Sequence, residues 1–253
     1  MITLAISNQK GGTGKTTAAA ALGAILAAEG LCVLLIDADP QGSLSAGLGI
    51  NGEGRGLAEV MAEDGATLAS VITPIRPGLD LIPGDLALAD CELQLVARYH
   101  REDILGEALA SVADRYDLAL IDCPPSLGLL TVNALTAARG VIAPVLPAAP
   151  DLRGLALFTK TLATVGKWNK RLELVGVIVN QFDPRINSHK EALQALQDAG
   201  YNVLASIPRT ARAGEAAAAE VPLTEYAPGS PAAAAYTEAA KGIIQWLKNQ
   251  KAS

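Results

Sequence analysis

The residues with the clearest chemistry stand near the start of the chain, between Gln9 and Thr17, in the sequence QKGGTGKTT. An apolar run, Ile2–Ser7, precedes them, and an Ala-rich helical pattern, Thr16–Glu29, follows them. A glycine-rich turn between a strand and a helix lets backbone N–H groups surround phosphate oxygens, and the positive end of the helix adds to the attraction. We therefore predict a loop that binds a nucleoside triphosphate together with Mg²⁺.

Two side chains of this loop have direct roles in phosphate chemistry. Lys15 is expected to reach the β- and γ-phosphates, and the Thr16 hydroxyl is expected to bind Mg²⁺. The predicted nucleotide contacts of the loop are Lys10, Gly11, Gly12, Thr13, Gly14, Lys15, Thr16 and Thr17. The alternative is a plain glycine turn with solvated lysines, and the strand–loop–helix context argues against it.

Magnesium-nucleotide chemistry also needs acids at strand ends that face the phosphates. Asp122 closes the apolar run of Leu118–Cys123, and an acid in this position holds Mg²⁺, often through water. The alternative for Asp122 is a turn acid beside Pro124. Asp37 and Asp39 end another apolar run and lie two positions apart, so they point to the same face if strand geometry continues.

Apolar runs with the length of buried strands alternate with helical patterns along the chain. The predicted strands are Ile2–Ser7, Leu31–Asp37, Leu79–Ile82, Leu118–Cys123, Gly140–Leu146, Leu174–Asn180 and Asn202–Ile207. The predicted helices are Thr16–Glu29, Leu86–Val112, Leu152–Val165, Ser188–Ala199 and Ala232–Asn249, with loops and short helices over Ser43–Pro77. This alternation predicts an α/β fold, a doubly wound and mostly parallel sheet flanked by helices, as in P-loop NTPases. Residues 1–253 show no repeat or linker, so a single domain is predicted, with its ligand at the carboxyl ends of the strands.

Composition argues against several other classes of protein. No apolar run reaches the ~18–20 residues that a membrane span needs, and Lys10 interrupts the first apolar run, unlike a signal peptide. The cysteines Cys32, Cys91 and Cys123 form no C-x-x-C pair, which argues against a disulfide framework or a zinc site. A net charge of −6 argues against a uniformly basic surface but allows a local basic patch. A cytoplasmic protein is predicted.

The phosphate loop departs from the usual G-x-x-x-x-G-K-[ST] pattern, because Gln9 stands where the first glycine belongs and Lys10 follows it. The sequence KGGTGKTT resembles the deviant Walker A motif of the ParA/MinD group of ATPases. Asn8 before it, and the DADPQG sequence of residues 37–42, resemble ParA, the DNA-partition ATPase, in particular. The resemblance implies that Lys10 reaches the nucleotide of the other subunit in an ATP-bound sandwich dimer. It also implies that Asp37 assists the metal and that Asp39 positions or activates the attacking water, so Lys10, Lys15 and Asp39 are the expected catalytic residues.

The base-binding residues follow from the same resemblance. Asn180 ends a predicted strand where the family places an amide that contacts adenine, and an amide offers the donor and the acceptor that adenine needs. Pro208 and Arg209 resemble the second base-contacting loop of the family. No N-K-x-D sequence typical of guanine recognition is present, and ATP is the expected nucleotide.

Partners are implied by the resemblance as well. ParA relatives bind DNA without sequence preference and are stimulated by a ParB-like centromere-binding protein, so this chain is expected on the nucleoid when ATP is bound. The candidate DNA contacts are Arg209, Arg212, Lys241, Lys248 and Lys251. A second basic cluster is formed by Lys167, Lys170 and Arg171. Because few residues precede Lys10, the chain resembles the short type of ParA, without an N-terminal DNA-binding domain.

Other functions of the same loop stay open. A MinD-like membrane-cycling ATPase would end in a basic amphipathic helix, and Ile243–Lys251 is compatible with one, although it also fits a helix docked on the core. Membrane binding is the less favoured alternative because the DPQG sequence resembles ParA. A positioning ATPase for a protein cargo is possible too. The remaining class is metabolic enzymes with this loop, such as amide-forming synthetases or iron–sulfur carriers. The carriers need a C-x-x-C pair, which this sequence lacks.

Overall fold

The computed structural model describes residues 1–50, 55–62 and 67–252, and its centre is an eight-stranded sheet. The strands are β1 (Ile2–Ile6), β2 (Val33–Asp37), β3 (Thr73–Arg76), β4 (Leu79–Ile82), β5 (Leu118–Asp122), β6 (Gly140–Val145), β7 (Glu173–Phe182) and β8 (Val203–Pro208). Their order across the sheet is β3-β4-β2-β5-β1-β6-β7-β8. All neighbours are parallel except β3 and β4, which form an antiparallel hairpin. The predicted doubly wound, mostly parallel α/β fold is confirmed.

Helices cover both faces of the sheet. In chain order they are α1 (Lys15–Ala28), α2 (Ser43–Ala46), α3 (Leu57–Ala62), α4 (Leu68–Val71), α5 (Ala87–Leu95), α6 (Ile104–Ala110), α7 (Leu129–Ala137), α8 (Ala149–Val165), α9 (Asn187–Asp198), α10 (Arg212–Ala218), α11 (Leu223–Tyr226) and α12 (Pro231–Ala252). Side chains of successive strand residues point to opposite faces, so each buried strand contributes to two cores. In β1, for example, Leu4 and Ile6 pack with α1 and α12, whereas Ala5 belongs to the core that contains residues of α5 to α9.

Two parts of the predicted element map are wrong. The continuous helix expected over Leu86–Val112 is two helices, α5 and α6, because the chain turns between them and His100 takes a left-handed conformation with φ 53°. The stretch Ser43–Pro77, expected to hold only loops and short helices, also contains the edge strand β3. Pro74 lies in β3, and an edge strand tolerates proline because one side of it needs no partner strand.

Candidate functional site

Three neighbouring strands end at the same level and bring the predicted residues together. Asp122 at the end of β5 is in register with Ile6 of β1 on one side and with Asp37 of β2 on the other. The loop after β1 therefore starts beside two strand-end carboxylates. This is the edge of a parallel sheet at which ligands bind.

The loop is held open by its glycines and fixed by Asn8. Gly12 and Gly14 have φ of 73° and 91°, which L side chains rarely adopt, and Gly14 is the N-cap of α1. The buried Asn8 donates from Nδ2 to the Pro144 carbonyl at 2.7 Å, and its Oδ1 accepts from the Lys10 N–H at 3.3 Å. The loop thus has the shape of an anion cradle at a helix N-terminus.

Lys15 points back into this loop. It is buried, and its Nζ donates to the Lys10 carbonyl at 3.4 Å. Burial lowers the pKa of Lys15, and the negative charge of Asp122 acts in the opposite direction. A buried ammonium with one long hydrogen bond to a neutral carbonyl is well placed to gain from an incoming phosphate.

Asp122 is fully buried, and neither of its carboxylate oxygens has a hydrogen-bond partner in full geometry among the described residues. The Thr16 hydroxyl is nevertheless near enough to lower the pKa of Asp122 against the effect of burial. Burial raises the pKa of Asp122 well above its ordinary value, and the nearby charge of Asp37 raises it further. Such orphaned oxygens fit a role as a direct or water-mediated metal ligand. The described residues contain no group of three or more His, Cys, Asp or Glu that could hold a metal ion by itself. That fits Mg²⁺, which binds to proteins through one or two side chains and completes its shell with phosphates and water.

Asp37 organises the segment that follows β2. Its Oδ2 accepts from the N–H of Ser45 at 2.9 Å and from the Ser45 hydroxyl at 2.7 Å, while its Oδ1 accepts from the Asp39 N–H at 3.2 Å. Burial raises the pKa of Asp37, and the hydrogen bonds from Ser45 oppose that shift. Asp39 is half-buried and caps the next turn by accepting from the Gln41 N–H at 3.0 Å. The Asp37–Ser45 pair thereby fixes where the Asp39 carboxylate lies.

Lys10 is engaged within its own chain. Its Nζ lies 2.5 Å from Oδ2 of Asp151, whose side chain is 0% exposed at the start of α8, whereas the Lys10 side chain is 45% exposed. The other Asp151 oxygen, Oδ1, has no partner among the described residues. A half-exposed lysine thus neutralises a fully buried acid at the rim of the loop.

A cavity of about 540 Å³ opens between the loop and the ends of β7 and β8. Asn180, Pro208 and Arg209, at and after the ends of β7 and β8, line it together with the glycines of the loop. Asn180 also fixes the loop, because its Nδ2 donates to the Thr13 carbonyl at 2.9 Å. Tyr236 of α12 lines the same cavity; its ring is buried, and its hydroxyl makes no hydrogen bond to the described part of the chain. The cavity therefore extends from the phosphate cradle to a half-apolar pocket with polar groups on its wall, as a nucleotide requires.

Sequence relatives match nearly the whole length of the chain. Residues 1–174 match the family model described as AAA domain. The chromosome partitioning protein ParA of Caulobacter vibrioides is 39% identical over 258 residues, which cover 98% of this chain and 96% of that protein. The sporulation initiation inhibitor protein Soj of Bacillus subtilis is 38% identical over 247 residues, which cover 95% of this chain and 97% of that protein. The chain belongs to the ParA family of P-loop ATPases.

Solved structures agree with that assignment. The crystal structure of cobyrinic acid a,c-diamide synthase from Mycobacterium smegmatis with a bound ATP analogue and magnesium matches with a TM-score of 0.86. It is 35% identical, and the match covers 98% of this chain and 96% of that one. This chain is accordingly an ATPase that uses ATP and Mg²⁺, so the predicted activity and the predicted cofactors are both confirmed.

The candidate DNA contacts of this ParA-family chain are not grouped into one free basic surface. Arg209 lines the nucleotide cavity, Arg212 is paired with Glu215 at 3.4 Å, and Lys241 is paired with Glu238 at 2.6 Å. Lys248 borders a separate cavity of about 340 Å³ that is also lined by Glu29 and Asp117. The side chain of Lys251 lies outside the described residues.

The apolar face of α12 packs against the sheet. Ile243 is 0% exposed and Leu247 is 7% exposed, and Trp246 donates from Nε1 to a Glu173 oxygen at 2.6 Å. In the described part of the chain, no helix combines the length and the apolarity required to cross a bilayer. The alternative of a helix docked on the core, left open by the sequence, is what the structure shows for this part of α12.

Several residues of the site were not found in the sequence. Ser45 and Asp151 are polar residues whose importance comes only from their buried positions beside Asp37 and Lys10. Tyr236 has the helical spacing of a core residue. A serine eight positions after Asp37 was a weak local signal, whereas nothing local distinguished Asp151 or Tyr236.

Proposed function

We propose that this ATPase partitions DNA, a plasmid or a chromosome, by an ATP-dependent cycle of dimerisation and DNA binding. The observation that carries the proposal is Lys10, a second lysine in the phosphate loop, held at the rim of the cavity and not inside it. The Lys10 side chain is 45% exposed, so it can leave Asp151 and reach a nucleotide held by a second copy of the chain. ATP then favours the dimer because the γ-phosphate makes a contact there that the monomer lacks.

Within one subunit, the proposed roles follow the geometry of the loop. Backbone N–H groups of residues 11–17 surround the phosphates, and Lys15 neutralises the β- and γ-phosphates. Thr16 and Asp122 hold Mg²⁺, with Asp37 acting on the metal from the next strand. Magnesium, when bound, draws charge from the phosphate oxygens and stabilises the transferring phosphoryl group.

Asp39 is the proposed residue that positions the attacking water. It lines the cavity with Lys15, and its backbone is fixed through Asp37 and Ser45. Phosphoryl transfer relies on positioning and charge neutralisation, so a fixed carboxylate is more effective here than a mobile one. Asp39→Ala is expected to bind ATP normally and to lose most of its hydrolysis, which binding calorimetry and phosphate release measure separately.

The adenine base is proposed to lie against Asn180, Pro208 and Arg209. Their place in the lining of the cavity that begins at the phosphate loop supports this, because a nucleotide bound in the loop would fill the same cavity. We further propose that residues 1–253 act as one domain, since all eight strands belong to one sheet.

The partner is proposed to be a ParB-like centromere-binding protein that stimulates hydrolysis and so releases the dimer from DNA. The relatives named for chromosome partitioning support this choice. The candidate DNA contacts remain Arg209, Arg212, Lys241, Lys248 and Lys251. The ATP-bound protein would then be found on the nucleoid.

The decisive experiment compares Lys10→Ala and Lys15→Ala with Lys190→Ala, an exposed lysine of α9 far from the loop in sequence. Light scattering with and without Mg-ATP reports the dimer, and calorimetry reports binding. Lys15→Ala should lose binding and dimer together, Lys10→Ala should keep binding but lose the dimer, and Lys190→Ala should match the wild type. Normal ATP-dependent dimers of the Lys10→Ala variant would refute the proposal.

Retardation of duplex DNA and sedimentation with anionic vesicles, each with ATP, separate the proposed function from a MinD-like one. Binding to vesicles alone would favour the membrane alternative. The packed apolar face of α12 argues against its insertion into a membrane surface.

An amide-forming synthetase is the second candidate, favoured by the match to the Mycobacterium smegmatis diamide synthase at 35% identity. The two candidates differ in what should stimulate ATP hydrolysis. Cobyrinic acid with ammonium would stimulate a synthetase, whereas DNA with a centromere-binding protein would stimulate a partition ATPase. Stimulation by cobyrinic acid alone among these additions would overturn the partition proposal.

A further inference from the structure

The outer face of α8 and the turn after it form a basic stripe that no part of the nucleotide site uses. Arg153, Leu157, Lys160, Thr164 and Lys167 are all exposed. Their spacing of three or four residues places them on one face of the helix, in line. The opposite face of α8 is buried in the core, so the stripe faces solvent along its whole length.

The stripe is strongly basic and holds no acid. Between Asp151 and Glu173 the sequence contains no Asp or Glu, in a chain with a net charge of −6. From here on, the name α8 stripe means the five cations in this interval: Arg153, Lys160, Lys167, Lys170 and Arg171. None of their side chains makes an ion pair or a hydrogen bond with the residues that the structure describes.

This sets the α8 stripe apart from the cations near the end of the chain. Arg212 and Lys241 each have an acid within 4 Å, Glu215 and Glu238. A paired cation must give up or share its acid before it gains from a phosphate, whereas an unpaired one does not. The α8 stripe therefore offers several cations that a polyanion can bind without displacing an acid, unlike Arg212 and Lys241.

We propose that the α8 stripe binds the phosphate backbone of duplex DNA without reading its sequence. The inference rests on the proposed DNA-binding function and adds a surface to the candidate contacts already named for it. Arg153 and Lys160 lie seven residues apart in α8, roughly 10 Å along the helix axis, and Lys167 follows two residues after the helix ends. Duplex DNA carries one charge per ~1.7 Å of its axis, so even the roughly 10 Å between Arg153 and Lys160 corresponds to several phosphates.

The exposed apolar residues beside the α8 stripe are arranged in a way that fits DNA better than a lipid surface. Leu157 and Trp168 are 59% and 72% exposed, but they stand eleven residues apart, Leu157 within α8 and Trp168 in the turn after it, and do not form a continuous apolar face. A helix that lies in a bilayer surface needs such a face. The small side chains of Ala156 and Ala163, exposed beside the cations, let a backbone approach closely.

The test compares two sets of substitutions in the full chain. The stripe variant is Lys160→Ala, Lys167→Ala and Arg171→Ala; Arg153 is kept because it lies two residues from Asp151. The control variant is Arg212→Ala and Lys241→Ala. Basal ATP hydrolysis should equal the wild-type rate in the stripe variant, which shows that it folds.

Affinity for a random-sequence duplex is then measured with Mg-ATP over a series of salt concentrations. Each phosphate contact contributes about 0.9 to the slope of log affinity against log salt, so the stripe variant should lose about 2–3 from that slope for each subunit of the dimer that contacts the DNA. The control variant should lose less. A wild-type slope in the stripe variant would overturn the inference and leave the proposed function intact. Absence of ATP-dependent DNA binding by the wild type would overturn both.

Trp168 gives a local readout of the same contact. When the wild type and both variants also carry Trp246→Phe, Trp168 is the one remaining tryptophan of the chain, so the fluorescence reports on it alone. Duplex DNA should change its fluorescence in the presence of ATP. A change produced by phosphatidylglycerol vesicles and not by DNA would overturn the inference in favour of a membrane surface.

Discussion

Replacing Gly14 with Ala should destabilise the nucleotide-free protein by an amount that the loop geometry sets. Gly14 has φ 91°, and a left-handed conformation costs an L residue about 1–2 kcal/mol. An added Cβ would also overlap Nδ2 of Asn180, whose side chain must then move away and lose its hydrogen bond to Thr13. That bond contributes about 0.5–1.5 kcal/mol, so the expected total loss is about 2–3 kcal/mol.

The same loop supplies two matched controls. Nothing lies within 4 Å of a Cβ added at Gly11, which has no positive φ, so Gly11→Ala should change stability by less than about 0.5 kcal/mol. Gly12 has φ 73° but equally open space, so Gly12→Ala should show the backbone cost alone, about 1–2 kcal/mol. Urea unfolding without nucleotide measures all three free energies of unfolding.

A double mutant separates the two contributions at Gly14. In an Asn180→Ala background the amide is gone, so Gly14→Ala should cost no more than Gly12→Ala does. Equal unfolding midpoints for Gly11→Ala and Gly14→Ala in the wild-type background would refute the reasoning. They would mean that the nucleotide-free loop does not hold this conformation in solution.

Three further substitutions test the site. Burial raises the pKa of Asp122 above its ordinary 3.8, so the native state keeps a proton that the unfolded chain releases. The free energy of unfolding therefore falls as pH rises from about 3.8 to the native pKa. Asp122→Asn should flatten this fall, which thermal unfolding at successive pH values measures, and a variant with the wild-type pH profile would contradict the prediction. Lys10→Ala should lower the free energy of unfolding by about 1–3 kcal/mol because Asp151 stays buried without its cation. Adding Asp151→Asn should restore part of that loss, and no recovery in the double variant would argue against the Lys10–Asp151 pair. Tyr236→Phe should leave unfolding unchanged but weaken ATP binding about threefold to tenfold in calorimetry, because the otherwise unpartnered hydroxyl faces the cavity; equal affinity would place the nucleotide away from it.

Local sequence was enough to predict the parts of the site that local sequence builds. The loop and Asp122 each combine a distinctive residue type with a buried strand just before it, and both lie where the pattern indicated. Asp151 was missed because its role depends on the start of α8 reaching Lys10, 141 positions away in the chain. Nothing near Asp151 in the sequence records that approach.

The errors in the fold have similar causes. Residues 96–103 lie between α5 and α6 and contain neither Gly nor Pro, so the helical pattern showed no break. The turn at the exposed His100 is held by a contact distant in sequence, because Asn133 donates from Nδ2 to the Arg101 carbonyl at 2.6 Å. The edge strand β3 has four residues and includes a proline, which lowers the strand signal below that of a loop. Buried central strands gave strong signals because both of their faces are apolar.

The central position of β1 has a consequence during synthesis of the chain. β1 comes first from the ribosome, yet its two neighbours are β5 and β6, and Ile2 pairs with Leu118. Until Val145 has left the exit tunnel, the first strand cannot have both of its edges covered. β1 must therefore stay an unpaired apolar segment while the chain from β2 to β6 is made, and a chaperone is expected to bind it during that time.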